Sequence, residues 1–432
     1  MNAPSAVVEL AAPHQRRRVL TGAWLLSGAT AASGVLTYAF LVLAARTLGP
    51  HAYGLVAVLW GAIFIGAIVL YRPLEQTASR TIADRLARGH EVRTVVRALL
   101  IVGGSAVVLT AVAVVAAWGP ITRHAFLGDG RLTALLLAGV IAYGISYVVR
   151  GIVGGVRWFG GYGLVLTADG VARLAVAAPL LLVASTQLAG GAMVAAGLAG
   201  AVVPLALGRR RIARALTQRG GDGFRVKSAF AFAAPAVAIA AADQLLVNGA
   251  PLLVILDGGA RASKSAGVVF AATMLVRAPI YVFQGLAASF LPNLTALAAV
   301  GDRTRFRAAV TRGSGALLAI GAVLVAGAAI LGTHAMGILY GSEYSAGRGS
   351  LVLLAVGAAF YLGAGTVSQG LLALDRGRAA AVGWVVAAGS FVVLFLVLPG
   401  SELWRASLGF AVAMAAGTLL LAGALIREAR SV

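Results

Sequence analysis

Twelve stretches of this 432-residue chain are apolar for long enough to cross a lipid bilayer, and little sequence remains between them. A hydrocarbon core about 30 Å thick is crossed by about 20 residues of α-helix. Runs of that order lie at 19–45, 53–71, 96–118, 132–149, 162–184, 189–207, 229–256, 266–291, 313–333, 349–373, 379–398 and 406–426. They are continuous rather than alternating, so they predict helices and not the strands of a barrel. The first run is too long for the apolar region of a cleaved signal peptide, which has about 7–15 residues, and is read as a retained span.

Composition bears on how such helices pack. Only 11% of residues are charged, against roughly 25% in an average soluble domain. Fifty-six glycines supply the small residues that let helices approach closely in lipid. An internal repeat then divides the chain. Residues 82–100 parallel 294–312, each a basic amphipathic stretch running into an apolar span, and Tyr53-Gly54 echoes Ala266-Gly267 at nearly the same offset. The predicted fold is therefore all-α and integral to the membrane, with about twelve transmembrane helices in two six-helix lobes around a central cavity. The expected divisions are a cytoplasmic arm at 1–18, a first lobe at 19–207, a basic linker at 208–228, a second lobe at 229–426 and a cytoplasmic tail at 427–432. An even number of spans per lobe gives both the same orientation, as in repeats related by an axis along the membrane normal.

A formal net charge of +21 raises the question of nucleic acid. Nucleic-acid binders gather Lys and Arg on one face of a soluble fold. Here those residues sit in short segments between apolar runs, and topology accounts for them. With the N-terminus inside, 25 basic residues fall in cytoplasmic segments, whereas seven (Arg46, Arg123, Arg131, Arg261, Lys264, Arg348 and Arg405) fall outside. That is the asymmetry of a multi-pass protein of the cytoplasmic membrane with both termini inside. No nucleic-acid partner is expected.

Catalytic signatures are missing. There is no cysteine, and the five histidines (His14, His51, His90, His124, His334) are scattered over loops and span ends, which gives no metal site. The Gly-rich phosphate loop, the Gly-x-Ser-x-Gly elbow and the His-Glu-x-x-His pair do not occur. The outer loops are short, with acids only at Asp129, Asp257, Glu343 and Glu402, so a membrane enzyme of glycan assembly is the weaker alternative. No enzymatic activity and no cofactor are expected.

Function must then reside in the spans. Asp169 and Arg173 in span five, Asp243 in span seven and Arg277 in span eight are ionisable residues placed within them. Each such charge costs about 2.5–3.5 kcal/mol to insert, so they should pair, meet water or work. Asp169 and Arg173 are i,i+4 and share a helical face, which permits either an internal salt bridge or a cavity-lining arginine tuned by its neighbour. Asp243 and Arg277 could bridge between helices, but Gln244 and Asn248 make span seven more polar than one ion pair requires. Arg277, just before Pro279, is placed at mid-depth, where a guanidinium fork suits a phosphate. The resulting assignment is Arg277, Arg173, Asn248 and Gln244 for substrate, and Asp243 and Asp169 for ion coupling.

Three segments carry a family resemblance. AARTLGPHAYGLVA at 44–57, DQLLVNGAPLLV with the following span and its Arg277-x-Pro279 at 243–302, and ILYGSEY at 338–344 resemble the polysaccharide flippases of the multidrug/oligosaccharidyl-lipid/polysaccharide exporter superfamily. The resemblance implies an alternating-access carrier, driven by a proton or sodium gradient, that moves an undecaprenyl-diphosphate-linked oligosaccharide to the outer leaflet. It also implies membrane lipids and other polysaccharide-assembly membrane proteins as neighbours. Span one lacks the carboxylate of many drug and cation antiporters in the superfamily, and a mid-depth arginine repels a cation; a multidrug or metabolite antiporter is the alternative. The lipid II flippases are similar too, but typically have fourteen spans.

Overall fold

The computed structural model describes residues 13–216, 233–287 and 303–431. Most of the N-terminal arm, most of the basic linker, the start of span seven, the end of span eight and the repeat segment 294–302 lie outside the described residues. Within them the chain is helical, and each predicted span coincides with helix over most of its length. Among the described residues, nine helices are long and apolar enough to cross a membrane, or ten if one bent pair is a single span.

The chain forms two compact units. One comprises Thr21–Gln244 together with Val254–Gly267, the other Leu245–Leu253 together with Val268–Val432. In the first, α1 (Pro13–Ala87) carries both of the first two predicted spans and is kinked at Gly49. There φ is +71° and ψ 168°, a combination essentially confined to glycine. After α1 come α2 (Arg93–Ala116), α3 (Gly130–Gly155), α4 (Phe159–Ala177) and α5 (Thr186–Leu216). α3 packs on α2, α4 and α5, and α4 lies against α5.

Span seven is broken. α6 (Ala233–Asn248) and α7 (Ala250–Gly258) meet at Gly249 with a bend of 66°. α8 (Ser263–Ala287) follows and runs unbroken past Pro279. Later come α9 (Arg303–Tyr340), α10 (Arg348–Ala373), α11 (Gly377–Val397) and α12 (Glu402–Ser431). α10 packs against α9 and α12, and α12 against α11.

The burial pattern inverts that of a soluble protein. Leu109 on α2 and Ile330 on α9 are each 69% exposed, whereas Asp169 and Arg173 are buried. Exposed apolar faces around buried ions are stable only where the surroundings are hydrocarbon, so lipid covers these faces. Two boundaries differ from expectation. Span five ends early, in a 3-10 turn at Ala178–Leu181 that contains Pro179. Span four is longer than predicted: α3 continues to Gly155, which puts Arg150 inside a packed helix rather than in a cytoplasmic loop.

That extension depends on glycine. A Cβ at Gly151 would lie 3.2 Å from the Ala78 Cβ and 3.3 Å from the Glu75 carbonyl oxygen; at Gly155 it would lie 2.5 Å from the Ile82 Cβ. Close approach of α3 to α1 is therefore available only to small residues here, and it brings Glu75 beside Arg150.

Candidate functional site

Asp169 and Arg173 stand on one face of α4 and bind each other directly, with side chains 7% and 3% exposed. The pair is completed from other helices. Tyr143 of α3 donates its hydroxyl to Asp169 Oδ2 at 3.0 Å and accepts from Arg173 Nη2 at 2.7 Å. Arg173 Nη1 donates to Thr37 Oγ1 of α1 at 2.8 Å. The guanidinium also faces the Trp60 ring at 5.2 Å and the Phe64 ring at 6.0 Å, a cation–π arrangement that partly replaces lost hydration. Both terminal nitrogens of Arg173 are thus engaged.

Arg150 lies alongside on α3. Its Nη2 is 3.9 Å from Asp169 Oδ2, and its guanidinium sits 4.8 Å over the Tyr147 ring. Among the described residues it donates no hydrogen bond, and its Nε is buried without an acceptor. Each buried donor left unmet costs about 1–3 kcal/mol. Glu75, also buried, accepts from the Tyr162 hydroxyl at 2.5 Å. Arg72, one turn before Glu75, is exposed and lies in the field of Glu75, Tyr147, Tyr162 and Asp243. Arg72, Arg150 and Arg173 stand against three acids, Asp169, Glu75 and Asp243, so the charges balance when all are ionised. Arg150, whose donors are unused among the described residues, can hold an anion there.

Of the residues gathered here, the sequence singled out Asp169 and Arg173 and gave no prominence to Arg150, Glu75, Tyr143 and Tyr147. A usable signal was present: Tyr143, Tyr147 and Arg150 follow at helical spacing on one face of span four.

At the broken span, the cause is Pro251. A proline has no N–H, so the carbonyl four residues earlier, that of Val247, loses its helical donor. Arg277 Nη1 supplies the replacement at 2.8 Å. Gln244 and Asn248 are buried, and Gln244 Nε2 donates to Asp243 Oδ2 at 2.7 Å. Arg277 therefore has a structural duty as well as its charge. We expect Arg277→Gln to lower stability by about 1–3 kcal/mol, because it strands the carbonyl. In a Pro251→Ala background, which restores the backbone donor, the loss should shrink by at least half. A double-mutant cycle on unfolding midpoints checks this, and equal losses in both backgrounds would refute it.

No family model matches the chain. Its relatives include an uncharacterized protein of Mycobacterium bovis, 28% identical over 380 residues and covering 86% of this chain and 84% of the relative. Another, from Mycobacterium tuberculosis, is 28% identical over 383 residues, covering 87% of this chain and 85% of the relative. Among solved structures, an inward-facing multidrug resistance MATE family transporter of the MOP superfamily superposes with a TM-score of 0.72 at 15% identity, over 91% of this chain and 95% of that one. An outward-facing structure of such a transporter gives 0.68 at 16% identity over the whole of both chains. A MATE multidrug transporter solved as a complex gives 0.67 at 14% identity, over 99% of this chain and 98% of that one. The protein is an all-α, multi-pass membrane protein with the two-lobed fold of the MATE transporters of the MOP superfamily.

Proposed function

We propose that this protein is an alternating-access transporter that moves an undecaprenyl-diphosphate-linked oligosaccharide across the cytoplasmic membrane for cell-surface polysaccharide assembly. The observation that carries the reading is Arg150, a largely buried guanidinium that donates no hydrogen bond among the described residues, which favours a diphosphate and opposes a cation. The motifs at 44–57, 243–302 and 338–344 support the same branch. Asp169 and Asp243 are the groups we assign to ion coupling, with Arg277, Gln244 and Asn248 as polar contributors to cargo binding. The Lys/Arg asymmetry supports cytoplasmic termini.

A second reading, a multidrug antiporter, is favoured by the Trp60 and Phe64 rings beside Arg173 and by the multidrug transporters among the structural neighbours. Reconstituted vesicles separate the two. Leaflet-to-leaflet movement of a fluorescent undecaprenyl-diphosphate sugar should exceed that in protein-free vesicles and respond to an imposed pH or sodium gradient. Gradient-driven uptake of organic cations with no movement of the diphosphate lipid would overturn the flippase reading.

A further inference from the structure

We propose that Arg150 and Arg72 form the clamp for the phosphate groups of the cargo, a site distinct from the mutually engaged Asp169–Arg173 pair beside it. This rests on the flippase reading and assigns its anion subsite.

Arg173 has little left to offer a ligand. Three of its five N–H donors go to Asp169, Tyr143 and Thr37, and its Nε–H is buried. Arg150 is in the opposite condition: a guanidinium has five N–H donors, and among the described residues none makes a hydrogen bond. Its closest carboxylate, Asp169, is 3.9 Å away and already bound by Arg173 and Tyr143. Glu75, the other acid in range, is engaged by Tyr162. Arg150 is therefore held by neighbours that do not use its donors.

The site is built rather than incidental. Tyr147 supports one face of the guanidinium, and Gly151 lets the Glu75 backbone close against α3. The side chain remains 12% exposed, so a ligand can reach it. Arg72 lies on α1 one turn before Glu75, whose backbone closes on Gly151 one residue after Arg150. Two guanidinium groups on helices that pack at Gly151, one over the Tyr147 ring and one exposed, suit adjacent phosphates, each of which accepts a bidentate fork.

The test is binding of radiolabelled farnesyl diphosphate to the full-length protein in detergent, with inorganic pyrophosphate and farnesol as parallel probes. Wild type should bind farnesyl diphosphate. Arg150→Gln should weaken it by at least about tenfold, Arg150→Lys by less, because a point charge replaces the fork. Arg72→Gln, on an exposed side chain, should weaken it by about three- to tenfold. Displacement by pyrophosphate but not farnesol identifies the phosphates as the recognised group. Unchanged affinity in Arg72→Gln and in a folded Arg150→Gln would overturn the clamp while leaving transport intact. Binding lost on Arg150→Gln, in a wild type that moves no diphosphate lipid in vesicles, would keep the clamp and reject the flippase. Farnesol competing as well as farnesyl diphosphate would overturn the clamp.

Discussion

Asp169→Asn will lower the unfolding temperature by about 10 °C, the largest effect we expect from a substitution that barely changes shape. The carboxylate binds Arg173, accepts from Tyr143 and is the closest anion to Arg150. Removing its charge leaves two neighbouring guanidinium groups facing each other in a buried site. Breaking one partner out of a buried pair costs about 3–5 kcal/mol, because the remaining charge is stranded. For a unit of about 200 residues each kcal/mol is worth about 2–4 °C. The sign can be checked by removing both charges: Asp169→Asn with Arg173→Met should recover more than half of the loss, since no uncompensated arginine remains at that position. Melting of the purified variants in one detergent reads both. An Asp169→Asn protein as stable as wild type would show that Asp169 does not hold the cluster together.

Gly54→Val and Gly267→Val will each disfavour the conformation described here by about 3 kcal/mol, more than a hundredfold in population. Their contact has almost no clearance. A Cβ at Gly54 would lie 2.0 Å from the Ser263 carbonyl oxygen, and one at Gly267 would lie 2.1 Å from the Pro50 carbonyl oxygen. Both obstacles are backbone, so no side chain can move aside. The Ser263 hydroxyl also donates to the His51 carbonyl at 2.7 Å, which ties the two segments together. On the transport function proposed above, in which this arrangement is left and regained, the substitutions should stall the cycle. The absence of native cysteine makes the measurement clean. Cross-linking of a His51→Cys, Ser263→Cys pair should fall at least tenfold when Gly54→Val is added, and an unchanged yield would refute the prediction.

This contact shows what a repeat in the sequence can and cannot convey. Tyr53-Gly54 and Ala266-Gly267 could be matched as equivalent positions because both precede an apolar span. Nothing in that match indicated that they touch. Nor did the spacing around Arg277 reveal its role: attention falls on Pro279, its neighbour in the chain, yet α8 passes Pro279 without a break. The proline that matters is Pro251 in a different helix, whose freed carbonyl partner accepts from Arg277.

What the sequence determined by itself is everything governed by transfer to lipid: the spans, the helical class, the excess of basic residues at one set of loops and the short list of buried ions. Transfer free energy is a property of each segment and its own composition, so it can be read without knowing the neighbours. Tertiary structure decided which charges are satisfied and which are left over. Arg150 passes for a loop cation until α3 extends over it, and Arg173 passes for an available one until Tyr143, Thr37 and Asp169 close around it. Hydrogen bonds act over about 3 Å between groups as far apart in the chain as Thr37 and Arg173, and only the packing of helices against one another sets those distances.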